Sequence, residues 1–241
     1  MMNKVKIDEW VALYKRDFAE RWSTQEYKWV AAEKARKHWD VEERLLLSTW
    51  QLVAGELGKK AKRLLRPSYS RMTYGMLHEL IEHENSATRD MLRRLYSVDD
   101  RAGVDERIAC YLEEFAAIKE QRRLLDKPNW KEHFQAKSTT TVLLWMKNPE
   151  TFIYAEPEWL ARGLKELGFT YTGNILHFKY EEEGLPYFDS LKTELNNPSY
   201  GLKEVLRPHL LEGVHYADSS LSLLCNDFLE YVGREVKRLG L

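Results

Sequence analysis

Apolar residues recur along this chain at helical spacing almost from its start. Ile7, Trp10, Tyr14, Phe18 and Trp22 follow one another every three or four positions, which predicts an amphipathic first helix. Ser23 and Glu26 then stand three apart in a capping-box arrangement, predicting a second helix that runs to about His38. Asp40 is placed to cap a third, through Leu45–Leu47, Trp50 and Val53. A fourth is expected over Tyr74–His83, and a short fifth begins at Asn85 or Ser86 and carries Met91, Leu92 and Leu95. Val104, Ile108, Tyr111, Leu112, Phe115 and Ile118 form the longest regular stripe and predict a helix over 103–124. The same helix has Cys110 on its apolar side, as a core residue. Asp126-Lys127-Pro128-Asn129 is a turn sequence.

The second half is less uniform. Ser138–Met146 is a short apolar helix stopped by Asn148-Pro149. Thr151–Ala155 is a β-branched and aromatic run, predicted as a strand, and Tyr171–Tyr180 is a second strand or an irregular loop. Glu156-Pro157-Glu158 opens a helix that Gly168 ends. Leu185–Leu195, Tyr200–Leu211 and Ser219–Leu239 are helical, the last with Leu221, Leu224, Cys225, Phe228, Leu229, Val232 and Val236 on one stripe. The expected fold is therefore mainly α, a multi-helix domain with a minor β element in the second half. Its parts are 1–126 and 127–241, separate or sharing one core.

The 241 residues and 44% hydrophobic content suit a globular protein with a substantial core. No apolar run approaches the roughly 20 residues of a membrane helix, and the N-terminal residues do not form a secretory signal. Cys110 and Cys225 are far apart and make no metal or redox spacing. A cytoplasmic protein without membrane partner or cofactor is the expectation. Charge is balanced overall, with 37 basic and 38 acidic side chains, which argues against binding nucleic acid by bulk charge. One stretch stands apart. Lys59, Lys60, Lys62, Arg63, Arg66 and Arg71 fall within thirteen residues that contain no acid. They form either a solvated helix end before Pro67 or a patch that contacts phosphates.

Catalytic motifs are missing from the sequence. There is no Walker phosphate loop, no dinucleotide-binding glycine motif, no nucleophile elbow and no H-E-x-x-H. His78 and His83 are five apart, the wrong spacing for a metal pair on one helix face. Glu194 and Asn196 lack the lysine and strand context of a nuclease site, and Asp99-Asp100 suit a solvated loop. Tyr27, Trp29 and Trp39 are either core aromatics or a stacking surface for a base.

The string Tyr27-Lys28-Trp29, with Ala31 and then Trp39-Asp40, resembles a block near the start of AAA+ ATPases related to the McrB restriction proteins. Asn85–Tyr96 with Asp105-Glu106-Arg107-Ile108 is similar to their next helical pair. His133-Phe134-Gln135, Leu144-Trp145 and Pro149–Tyr154 resemble a further block, and Ala217-Asp218-Ser219 the segment that closes the region. The resemblance spans about 27–232 and rests on the order and spacing of the blocks. In that family the region precedes the ATPase motor and recognises DNA, often with a modified base, while a partner subunit cuts. It implies a non-catalytic N-terminal region, isolated or stand-alone, of a restriction or defence system. The expected function is DNA recognition through the Lys59–Arg71 cations. The alternative is an assembly domain that docks the AAA+ ring or a nuclease subunit through aromatic anchors.

Overall fold

The computed structural model describes residues 2–39, 41, 70–83, 85–97, 101–131, 135–154, 157–169 and 179–240. The described residues form ten α-helices and no strand. The chain divides into two compact units, Met1–Glu33 with Ala155–Leu241, and Lys34–Tyr154. The chain leaves the first unit within its second helix and returns to it at Ala155.

In the first unit, α1 (Lys4–Gln25) buries Ile7, Trp10, Val11, Tyr14, Phe18 and Trp22, the stripe that its spacing predicts. Asn3 caps it by accepting the N–H of Lys6 at 3.2 Å. The expected helix start at Ser23 does not form. Ser23 and Thr24 turn their hydroxyls back onto the carbonyls of Glu20 and Arg21, so α1 continues to Gln25. After Glu26, α2 (Tyr27–His38) begins.

Helix α7 (Pro157–Glu166) ends before Gly168, whose φ of +83° suits glycine. There the Leu167 carbonyl accepts the N–H of Asn3 at 2.9 Å, tying the start of α1 to the end of α7. A π-turn at Tyr180–Gly184 leads into α8 (Leu185–Leu195). The expected long helix over Tyr200–Leu211 is instead a short α9 (Leu202–Leu206) between two 3₁₀ turns. The last helix, α10 (Ser222–Leu239), is the axis of the unit. Every residue from Ser222 to Gly233 is buried, and α10 packs on α1, α7 and α8.

In the second unit, α3 (Ser70–His83), α4 (Asn85–Leu95), α5 (Val104–Leu125) and α6 (Lys137–Lys147) pack in sequence order, each on the next. Asp105 and Glu106 in the first turn of α5, with Arg122 and Arg123 in its last, complement its dipole. Ile108, Tyr111, Phe115 and Ile118 are buried as the stripe predicts. Cys110, expected in the core, is exposed. It stands about 200° round the helix from Ile108, away from the stripe.

The expected strand at 151–155 is not one over its described residues. Phe152, Ile153 and Tyr154 are buried, but no strand pairs with them. Turn bonds to Asn148 and the Arg101 guanidinium on the Thr151 carbonyl (2.9 Å) hold the backbone instead. The third expected helix, through Leu45 to Val53, and the segment 171–178 lie outside the described residues.

Two glycines set the approach of α7 to α10. A methyl on Gly163 would fall 2.8 Å from both the Leu229 side chain and its carbonyl oxygen, and one on Gly233 would meet the Trp159 carbonyl carbon at 2.9 Å. Overpacking of this kind costs about 1–3 kcal/mol. Gly75, in α3, has open space around it. Urea unfolding is therefore expected to show G163A and G233A destabilised by about that amount and G75A stabilised by up to about 1 kcal/mol. Equal effects at the three positions would contradict this packing.

Candidate functional site

The Tyr27-Lys28-Trp29 string lies in the first unit, where α2 begins. Tyr27 is 1% exposed, Lys28 1% and Trp29 0%. A buried lysine needs compensation, and α10 supplies it one turn apart. Lys28 Nζ bonds the Asp227 carboxylate and donates to Glu230 Oε2 at 2.8 Å. Asp227 Oδ2 also accepts from Tyr14 Oη (2.8 Å) and from Arg21 Nη1 (3.2 Å). The Arg21 guanidinium lies over the Tyr231 ring at 4.6 Å, and Tyr231 Oη donates to Asp17 Oδ2 at 2.8 Å. Lys28, Arg21, Asp227 and Glu230 thus form a buried ionic cluster drawn from α1, α2 and α10, and Arg234, one turn on in α10, pairs with Glu230 as well. Burial opposes the charge of Asp227, but Lys28 and Arg21 outweigh it and hold its pKa down at about 2. Burial likewise opposes the charge of Glu230, and Lys28 and Arg234 outweigh it, so its pKa is lowered. Burial and the neighbouring Asp227 push the Tyr14 phenol well up, so it remains a donor.

Trp29 makes the second link. Its Nε1 donates to Asp218 Oδ2 at 3.2 Å, and its carbonyl accepts the N–H of Tyr216 at 3.0 Å. Asp218, in the left-handed region at φ +46°, also accepts the N–H groups of Leu223 and Leu224, both at 2.9 Å. Its carboxylate therefore caps α10 and satisfies two of the helix's orphan donors.

In the second unit, Trp39 is 2% exposed and donates from Nε1 to Tyr96 Oη at 3.2 Å. Tyr96 donates onward to the Leu143 carbonyl at 3.3 Å, and Lys147 Nζ donates to the Trp39 carbonyl at 2.8 Å. Trp145 meets Tyr154 edge-on at 5.1 Å. Gln135 accepts from Tyr111 Oη and Thr139 Oγ1, both at 3.4 Å.

Tyr27, Trp29 and Trp39, the candidate base-stacking residues, are thus enclosed by the protein, and core packing is the role that their surroundings fit. Of the candidate phosphate contacts, Lys59, Lys60, Lys62, Arg63 and Arg66 lie outside the described residues, as does the side chain of Arg71. Asp99 and Asp100 lie outside them too. Glu194 accepts a hydrogen bond from Tyr200 Oη at 2.8 Å. Among the described residues no group of three or more His, Cys, Asp or Glu side chains is placed to hold a metal, and no helix is long and apolar enough to cross a membrane. No family model, curated protein or solved structure matches this chain.

The Lys28 cluster is not visible to periodicity. Its one signal in the sequence is a pair of acids, Asp227 and Glu230, three apart inside the apolar stripe of the last helix. Acid should expose the cluster. Carboxylates with lowered pKa values stabilise the fold above their ordinary range near 4, and that contribution is lost as the pH falls toward 2. For Asp227 alone the loss amounts to about 2 kcal/mol. Urea titrations between pH 7 and pH 2.5 are expected to show this decline, and D227N is expected to start lower at pH 7 and decline less. A D227N variant with the wild-type acid profile would contradict the assignment.

Proposed function

We propose that this chain is a DNA-recognising, non-catalytic region of a McrB-like restriction or defence system. It meets the DNA backbone through Lys59, Lys60, Lys62, Arg63, Arg66 and Arg71. The observation that carries the proposal is how charge divides between the two units. The unit Lys34–Tyr154 has 22 basic and 18 acidic side chains, a net of +4, and includes all six of these cations. The other unit has 15 basic and 20 acidic, a net of -5. Positive charge collected on one unit, with an acid-free run inside it, suits a polyanion on that unit. Contacts of this kind position the protein on the duplex without reading sequence.

Support for the family resemblance comes from the contacts between its blocks. Within the first unit the Tyr27-Lys28-Trp29 block bonds the Ala217-Asp218-Ser219 block through Trp29 and Asp218. Within the second, Trp39 bonds Tyr96. Segments chosen by their order along the chain are therefore neighbours in space.

The second reading is a docking domain for an AAA+ ring or a nuclease subunit. It draws on Leu211 and Val214, large apolar side chains 61% and 48% exposed in the acidic unit.

Gel shifts on duplex DNA across a salt series test the proposal. If three or four of the cations contact phosphates, log K falls with log salt at a slope of about -3 to -4. Replacing Lys59, Lys60, Lys62 and Arg63 with glutamine is expected to remove most of that slope and weaken binding at low salt. Unchanged affinity and slope in this variant would overturn the patch. Retention of an AAA+ or nuclease subunit in a pull-down, with no DNA shift, would favour docking.

A further inference from the structure

His215 closes the turn that precedes it. Its Nδ1 accepts the N–H of Leu211 at 2.9 Å, while the N–H groups of Val214 and His215 both reach the Leu211 carbonyl, at 3.1 and 3.0 Å. This arrangement requires a neutral ring with its proton on Nε2. A protonated ring would present an N–H to the N–H of Leu211, so the bond would be replaced by a donor facing a donor.

The ring is 8% exposed and stands edge-on to Trp22 at 5.5 Å. The same indole packs on Trp29 at 4.9 Å and on His209 at 5.2 Å. The turn therefore lies over the aromatic cluster of α1 and α2. The segment is anchored on both sides, by buried Leu206 before it and by the Tyr216 N–H on the Trp29 carbonyl after it. Between these anchors Leu211 and Val214 are exposed, and Gly213 takes φ +76°.

Two titratable groups bear on His215 from neighbouring elements. Glu26, at the junction of α1 and α2, favours the charged ring, and His209 shares the Trp22 indole. Glu212, within the turn, is exposed. Burial outweighs Glu26 and pushes the imidazole below its usual value.

We infer that His215 is a pH-dependent latch, which when neutral holds the Arg207–His215 segment against Trp22 and when protonated releases it. A group whose pKa is lowered in the closed form stabilises that form above its ordinary value near 6.5, and the stabilisation is lost as the pH falls through the lowered value. The window is separate from that of the buried carboxylates, which titrate at far lower pH. Release would free the loop that carries Leu211 and Val214 and uncover the Trp22 ring, giving the domain a second surface in mildly acidic conditions.

Hydrogen exchange of the Leu211, Val214 and His215 amides between pH 7.5 and pH 5.0, corrected for intrinsic rates, tests the latch alongside NMR titration of the His215 ring. Protection in the wild type is expected to fall by up to tenfold per pH unit as the pH drops from the ring's ordinary value near 6.5 to its lowered titration midpoint, and to level off below that. In H215N, whose amide oxygen can accept the Leu211 N–H without titrating, protection is expected to stay constant with pH. H209Q is expected to keep the wild-type response. Flat protection in the wild type while the His215 ring titrates would overturn the inference, even if H215N does not fold. So would a response that persists in H215N or disappears in H209Q.

Discussion

A single lysine that water does not reach organises the first unit. Lys28 is held between Asp227 and Glu230, and Arg21 joins Asp227 from α1. Each charge is tolerable in the interior only because the others are within hydrogen-bonding distance, so α1, α2 and α10 must meet in one register. The cluster adds an electrostatic constraint to the apolar packing that already fixes how these helices meet. A one-turn slip would leave a buried charge without its partner.

The same helices are tied together by contacts far apart in the chain. Lys28 and Trp29 bond residues of α10 and of the segment just before it, about 190–200 positions along the chain. Trp39 reaches Tyr96, and the Trp39 carbonyl takes Lys147, within the second unit. These are the contacts of a framework. On the proposed function, ligand chemistry belongs to the cations between Lys59 and Arg71, and the aromatic signature has an architectural part.

Most of the helices were legible from spacing because a helix that buries one face must repeat its apolar residues every three or four positions. Ile7 to Trp22, Ile108 to Ile118 and Leu185 to Leu195 follow that rule. The misreadings have local causes. Ser23 has a capping-box pattern, but its hydroxyl finds the Glu20 carbonyl first. Phe152, Ile153 and Tyr154 have strand-like side chains, yet a strand needs a partner and Arg101 takes the backbone instead. Cys110 is expected on the apolar side of its helix, but it stands about 200° round from Ile108 and is exposed. Of the site, the basic run and the aromatics could be picked out by composition. The ion cluster could not, because its members meet only after the chain has returned from the second unit.

The most direct test is a double-mutant cycle on Lys28→Met and Asp227→Asn, followed by urea unfolding at pH 7. Each single change removes one of the two opposite charges that its buried partner meets and is expected to cost up to about 3–5 kcal/mol. Made together, the two changes are expected to cost well below their sum, with a coupling of about 2 kcal/mol or more. Additive costs, with coupling near zero, would show that Lys28 and Asp227 do not hold one another and would contradict the account.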